Sequence, residues 1–226
     1  MKFKDRAEAG QKLAARLKKY QQESPLVLAI PRGGVVVGAQ VAKKLSCPLE
    51  VIITRKLGAP GNPELAIGAT TSKGGLVIDR ELIDKLEITQ NYLHAEHLKQ
   101  LAEARRREKL YLPAGRQGEK GEQPDLAGRT AILVDDGIAT GATMEAAIRA
   151  VEEGLPLKTI VAVPVAPPET AERLKNLADE IVVLSTPEPF WAIGEFYSSF
   201  PQVSDEEVIS ILKEINQKVT GSKEGG

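Results

Sequence analysis

Five short apolar runs punctuate this chain: Leu26–Ile30, Leu49–Thr54, Ala131–Val134, Thr159–Val165 and Glu180–Leu184. Each is too short for a buried helix, and each is rich in Val, Ile and Leu, as strands covered on both faces are. The stretches between them carry apolar residues at helical spacing. Leu13, Leu17 and Tyr20 share a face before the first run, and Met144, Ala147, Ile148 and Val151 share one after the third. Pro167-Pro168-Glu169 starts another helix, with proline in its first turn. Strand and helix alternating in this way predict an α/β fold, a three-layer, mostly parallel sheet with helices on both faces. In open sheets of this kind ligands bind outside the carboxyl ends of the strands, so the residues ending each run matter most.

Composition narrows the function classes. With 226 residues and 42% hydrophobic content, the chain has material for one domain with an elaboration. Thirty basic and 31 acidic residues leave a net charge of -1, which makes no broad electrostatic case for nucleic acid or a membrane surface. The single cysteine, Cys47, excludes an internal disulfide and a cysteine-rich metal site and fits a reducing compartment. Met1 to Arg6 leads into an amphipathic helix rather than an apolar signal core, and no run approaches ~18 apolar residues. A cytoplasmic location is expected.

The third run ends in chemistry. After Val134 come Asp135, Asp136, Gly137, Ile138, Ala139, Thr140, Gly141, Ala142 and Thr143, and then the helical segment. A helix N-terminus after a Gly/Thr-rich turn offers backbone N–H groups and a favourable dipole to a phosphate. Two carboxylates beside a phosphate repel it unless they bind something else, and vicinal hydroxyls or a divalent cation fit that need. The ligand implied carries a phosphate, a diol and a metal. Val134 to Thr143 resembles the phosphoribosyl pyrophosphate (PRPP) motif of the type I phosphoribosyltransferases. The resemblance implies that Asp135 and Asp136 hold the ribose 2- and 3-hydroxyls and Mg²⁺, directly or through water, while Ile138, Ala139, Thr140, Gly141, Ala142 and Thr143 cradle the 5-phosphate.

Other strand ends extend the resemblance. Pro31-Arg32-Gly33-Gly34 follows the first run, where the family places a pyrophosphate loop, often with a cis peptide beside a basic residue. It is not a Walker A loop, because Gly38 is followed by Ala39-Gln40. Arg55-Lys56-Leu57-Gly58 follows the second run and is similar to the pyrophosphate-side loop of adenine-type members. Arg32, Arg55 and Lys56 are therefore expected to meet the acids at one sheet edge, with Arg55 and Lys56 acting in catalysis beside Asp135 and Asp136. Near the end, Trp191-Ala192-Ile193-Gly194 resembles the hood of purine members. Trp191 is the candidate to stack on a base, and Ala192 and Ile193 to offer it backbone bonds.

The remaining segments carry weaker signals. Glu64–Thr71 and Gly75–Ile78 predict a hairpin around Ser72-Lys73-Gly74. A charged helix is expected from about Gln90 to Tyr111, and its Arg105-Arg106-Arg107 run reads better as a solvated face than as an RNA site. His94 and His97 lack the partners a metal site needs. Pro113 to Pro124 has linker composition. Ser204-Asp205-Glu206-Glu207 is a capping box for a last helix. The expected organisation is one domain over 1–220, with an insertion at about 79–127, a hood at about 185–203 and a disordered tail at 221–226. The resemblance implies Mg²⁺-dependent transfer of phosphoribose from PRPP to a nitrogenous base by a homodimer. A PRPP-sensing regulator or RNA-binding protein of the same fold is the alternative. Ala139 stands where 6-oxopurine members carry an acid, so the acceptor and its general base stay open.

Overall fold

The computed structural model describes residues 2–115 and 126–221. Along the chain the elements are α1 (Arg6–Leu17), β1 (Leu26–Ala29), α2 (Gly33–Leu45), β2 (Leu49–Val51), β3 (Thr54–Ala59), β4 (Asn62–Thr71), β5 (Leu76–Ile78), α3 (Arg80–Lys85) and α4 (Gln90–Gly115). They continue with β6 (Thr130–Val134), α5 (Ala142–Glu152), β7 (Lys158–Val165), α6 (Pro168–Leu174), β8 (Glu180–Ser185) and α7 (Asp205–Gly221).

Five strands form the central sheet in the order β2-β1-β6-β7-β8, every neighbouring pair parallel. Alternate residues on each strand feed two cores. Val27, Ala29, Ile132, Val134, Ile160 and Ala162 meet Leu13 and Leu17 of α1, Val37 and Val41 of α2, and Val208 and Leu212 of α7. Leu26, Leu28, Ala131, Leu133, Val161 and Val163 meet Met144, Ala147, Ile148 and Val151 of α5 and Leu174 of α6. Both faces are covered, which is why the runs read as continuously apolar. The expected helix face after the acid-bearing strand is the buried face of α5. Helix α2 lies so close to the sheet that a Cβ at Gly38 would sit 3.1 Å from the Ala29 Cβ.

The second sheet corrects the reading of Arg55 and Lys56. The run Leu49–Thr54 is not one strand. Strand β2 stops at Val51; the Ile52 N–H still donates to the Ala29 carbonyl, whereas the Ile53 carbonyl already accepts from the Ser72 N–H. Thr54 opens β3 of an antiparallel sheet ordered β3-β4-β5. Arg55 and Lys56 thus lie inside a flap strand rather than in a loop at the carboxyl edge of the parallel sheet. The hairpin of β4 and β5 forms as expected, with β3 added to it.

Helix α4 runs past Tyr111 to Gly115, so Pro113 to Gly115 are helical rather than linker; the rest of that expected linker, 116–124, lies outside the described residues. Helix α7 likewise reaches Gly221, and the remainder of the expected tail is outside the described residues. Ser204 caps α7, its Oγ accepting from the Glu207 N–H at 3.2 Å. Among the described residues no helix is long and apolar enough to cross a membrane.

Candidate active site

Strands β1 and β6 are parallel neighbours, so the turns that follow them emerge at one edge of the sheet. The Ile30 N–H donates to the Val134 carbonyl at 2.9 Å, which pins the two turns together just before they diverge into helices. After β1 comes a cis Pro31–Arg32 peptide and then Gly33 at the start of α2. After β6 come Asp135 and Asp136, and α5 begins at Ala142. Two helix N-termini, where first-turn N–H groups generally lack an i−4 partner, therefore open beside the acids.

The contact between the turns is tight enough to require glycine. A Cβ on Gly33 would fall 1.9 Å from Asp136 Oδ2 and 2.8 Å from Arg6 Nε. A Cβ on Gly34 would fall 2.8 Å from the Val134 carbonyl oxygen and 2.9 Å from Asp135 Cα. Gly33 and Gly34 thus lie against the acids. The Arg32 side chain does not: its Nη1 lies 3.9 Å from Asp205 Oδ1 at the start of α7.

The two acids differ. Asp136 is 9% exposed and is paired with Arg6, whose Nε donates to Asp136 Oδ2 at 2.6 Å. Burial raises its carboxyl above the ordinary range, and the Arg6 guanidinium pulls it back down. Asp135 keeps some surface exposure, but its carboxyl lies deep among protein atoms. Burial first and the Asp136 charge second hold it well above the ordinary carboxylate range, although its Oδ1 accepts from the Asp136 N–H at 2.8 Å. The Arg6 cation so favours charge on Asp136 over charge on Asp135.

Nothing local to the motif signals Arg6, which lies 130 positions away. It is 8% exposed and holds three partners: Asp136, the Pro201 carbonyl at 2.6 Å from Nη1, and the Phe200 ring, whose centroid is 3.7 Å from its Cζ. The Tyr197 hydroxyl donates to the Asp136 carbonyl at 2.5 Å. Removing Arg6 alone would leave a buried carboxylate uncompensated, a change that typically costs about 3–5 kcal/mol.

The loop from Gly137 to Gly141 is anchored from behind. Ile138 buries its side chain and donates its N–H to the Val165 carbonyl at 2.9 Å, so it shapes the loop and has no amide left for a ligand. The Ala139 carbonyl accepts from Thr170 Oγ1 at 2.9 Å, and the Thr140 carbonyl accepts from Arg173 Nη2, both donors belonging to α6. In a trans peptide the N–H points opposite the C=O. The N–H groups of Thr140 and Gly141 therefore face away from α6. Gly141 has φ +83°, which glycine adopts without strain.

Arg55 goes elsewhere. Its Nε donates to Gln100 Oε1 on α4 at 3.1 Å, in an open cleft of about 450 Å³ shared with Lys99, Glu103 and Arg106. Burial, then the nearby Arg107 charge, lowers its pKa. Lys56, its neighbour on β3, lies half-buried. The arginine run is engaged within the protein: Arg105 Nε donates to the Ser72 carbonyl, and Arg106 and Arg107 both pair with Glu103. His97 Nε2 lies 3.1 Å from Thr70 Oγ1.

The hood segment folds back over the acid-bearing turn. A Cβ on Gly137 would meet Ile193 Cγ2 at 2.6 Å, so Ile193 is committed to packing there. Trp191 is 78% exposed and belongs to no core. Phe190 packs on Phe196 with ring centroids 5.0 Å apart. The N-terminal segment fastens this region, Phe3 N–H donating to the Phe196 carbonyl and Ser198 N–H to the Phe3 carbonyl, both at 2.8 Å.

Among the described residues no group of three or more His, Cys, Asp or Glu side chains could hold a metal by themselves. Asp135 and Asp136 are hard oxygen donors suited to Mg²⁺, an ion usually held by one or two carboxylates, water and substrate phosphates. The donor set fits a magnesium ion.

The chain is similar to known proteins in sequence and in fold. Two Mycobacterium tuberculosis proteins, one from each of two strains, both named "Putative phosphoribosyl transferase", are 41% identical to this chain over 210 residues. The alignment covers 93% of this chain and 46% of each relative, so the chain spans less than half the length of these relatives. The crystal structure of TT1426 from Thermus thermophilus superposes with a TM-score of 0.78 at 44% identity, covering 95% of this chain and 99% of that one. The model of the phosphoribosyl transferase domain matches residues 3–198, and the chain belongs to that family.

Proposed function

We propose that this chain binds PRPP with Mg²⁺ and transfers the phosphoribosyl group to a nitrogenous base with release of pyrophosphate. The observation that carries this reading is the abutment of two strand-to-helix turns, with Gly33 and Gly34 of α2 in contact with Asp136 and Asp135. One ligand spanning them would need an anion at each helix N-terminus and a neutral or cationic part at the acids, and PRPP with its metal has that distribution.

In the reaction a base nitrogen forms a bond to the ribose anomeric carbon as the bond from that carbon to pyrophosphate oxygen breaks, its electron pair leaving with pyrophosphate. Positive charge builds on the ribose and negative charge on the leaving group. The protein then has to fix the sugar and stabilise the departing anion rather than supply a nucleophile. The amides of Thr140 to Thr143 hold the 5-phosphate, Asp135 accepts from the ribose hydroxyls, and the first-turn amides of α2 face the pyrophosphate. Magnesium, when bound, would neutralise pyrophosphate charge at Asp135 and Asp136. Trp191, exposed on the hood, stacks on the acceptor. Ala139 can take no proton, so deprotonation of the acceptor falls to another group or to water.

The test is pyrophosphate release from PRPP and Mg²⁺ across purine, pyrimidine and pyridine bases, with Asp135→Asn as the site variant. Arg6 bonds Asp136 rather than Asp135 among the described residues, so this change leaves both members of that pair in the chain. Loss of PRPP binding by calorimetry in a folded Asp135→Asn protein is expected. Unchanged PRPP affinity in that variant would remove the site assignment.

A further inference from the structure

We propose that Arg6 is a positioning residue that couples the acid motif to the hood, so that engagement of Asp136 is transmitted to the segment carrying Trp191. The PRPP arm of this inference rests on the function proposed above; the coupling itself rests on contacts alone.

The two ends of the coupling share one side chain. The flat guanidinium of Arg6 donates to Asp136 from Nε and to the Pro201 carbonyl from Nη1, and it lies over the Phe200 ring. Arginine can satisfy two acceptors and a ring face at once because its donors are fixed in one plane. Tyr197 adds a second tie, its hydroxyl bonding the Asp136 carbonyl while its ring packs 4.9 Å from that of Phe200. Phe196, the next residue, packs on Phe190, which adjoins Trp191. A continuous set of contacts therefore runs from the carboxylate to the exposed tryptophan.

Competition supplies the mechanism. Asp136 Oδ2 is occupied by Arg6 and crowded by Gly33, so a diol or metal that draws on this carboxylate must share it with Arg6 or shift it. Arg6 cannot shift without changing its contacts to Pro201 and Phe200. Asp135 instead accepts from the Asp136 N–H. The paired acids therefore have separate tasks: Asp135 meets the ligand, and Asp136 reports its presence to the acceptor side.

Trp191 is the chain's one tryptophan, so its fluorescence reads the hood without labelling. The first arm uses no ligand. Asp136→Asn is expected to change acrylamide quenching of Trp191 about twofold, and to change it little when introduced into Arg6→Lys, which keeps the charge but cannot hold both acceptors. Phe200→Leu serves as a second way to cut the contact if the Arg6 variant folds poorly by circular dichroism. The second arm adds PRPP and Mg²⁺. Wild-type protein should shift its Trp191 emission on binding, and Arg6→Lys should bind PRPP by calorimetry without that shift. A folded Asp136→Asn protein with unaltered quenching, or an equal change with and without Arg6, overturns the coupling. Failure of wild-type protein to bind PRPP overturns the proposed function instead, and the ligand-free cycle then judges Arg6 by itself.

Discussion

Gly34→Ala asks whether the close approach of the two turns matters. The added methyl would sit 2.8 Å from the Val134 carbonyl oxygen, 2.9 Å from Asp135 Cα and 3.0 Å from Asp135 Oδ1. Carbon atoms in contact prefer about 3.5–4.0 Å, so the chain must give way. Two of the three obstructing atoms are backbone, and the Val134 carbonyl is held by the Ile30 N–H at 2.9 Å. The strand end is thus the stiffer side, and the first turn of α2 is expected to move outward. Overpacking of this kind costs about 1–3 kcal/mol, a sizeable share of the roughly 5–15 kcal/mol that a domain holds in total. The retreat of the α2 amides adds a functional penalty, because a displacement of about 1 Å can cost on the order of 100-fold in a positioned reaction. Urea denaturation reads the first effect and calorimetric titration with PRPP the second. Gly75→Ala is the control: there the new methyl would meet only Thr71 side-chain atoms, the nearest at 3.2 Å in the turn between β4 and β5. Wild-type stability together with wild-type PRPP affinity in Gly34→Ala would refute the reasoning.

Three further outcomes are expected. Trp191→Ala should shift stability by no more than about 0.5 kcal/mol, because the residue is 78% exposed. It should weaken acceptor binding by the roughly 1–3 kcal/mol of a lost base stack; an equal loss of PRPP affinity would count against a stacking role. Cys47 is buried, and burial pushes its thiol up to about 12. Alkylation proceeds through the thiolate, so iodoacetamide at pH 8 should label unfolded protein and spare native protein, and rapid native labelling would contradict the buried placement. The Glu103 carboxyl is lowered to about 2 by its bonds to Arg106 first and Arg107 second. A depressed folded pKa stabilises above the unfolded value of 4.5 and is lost as pH falls through about 2. The pair is near the surface and worth only about 0.2–1 kcal/mol. The stability gap between wild type and Glu103→Gln, measured by urea denaturation, should therefore narrow from pH 4.5 toward pH 2, and a gap that widened would reverse the assignment.

The parallel sheet is legible in the sequence because both of its faces are buried, which leaves short apolar runs with nothing polar to interrupt them. The acid-bearing turn is legible because strand, turn and helix are contiguous and carry their own signals: glycines at the turn and helical spacing from Met144 onward. Arg55 and Lys56 escape such a reading for a specific reason. Leu49 to Thr54 is an unbroken β-prone run, yet Ile52 bonds to the parallel sheet and Ile53 to the flap, so one apolar stretch is divided between two sheets. Hydrophobic pattern records burial and is blind to which sheet supplies it. Arg6 and Arg173 are invisible for another reason. Each acts on the site across a long stretch of chain, and a lone arginine on a charged helix differs in no local way from its solvated neighbours.

These long-range arginines account for what the motif alone leaves open, namely which way its groups point. A Gly/Thr-rich turn can present carbonyl oxygens to a phosphate as easily as N–H groups, and the first would repel it. Thr170 and Arg173 of α6 decide between them by taking the Ala139 and Thr140 carbonyls, which turns the N–H groups of the same peptides away from α6. Arg6 does the corresponding work for the acids. Its bond to Asp136 favours charge on that carboxyl over charge on Asp135. The proposed anion-binding and diol-binding halves of the site are thus oriented by groups that belong to neither, one on α6 and one on α1. Substituting the motif residues tests the chemistry of the site, whereas substituting Arg173 or Arg6 tests its orientation. Arg173→Gln is accordingly expected to weaken PRPP binding, read by calorimetry, while leaving the helix it sits on folded.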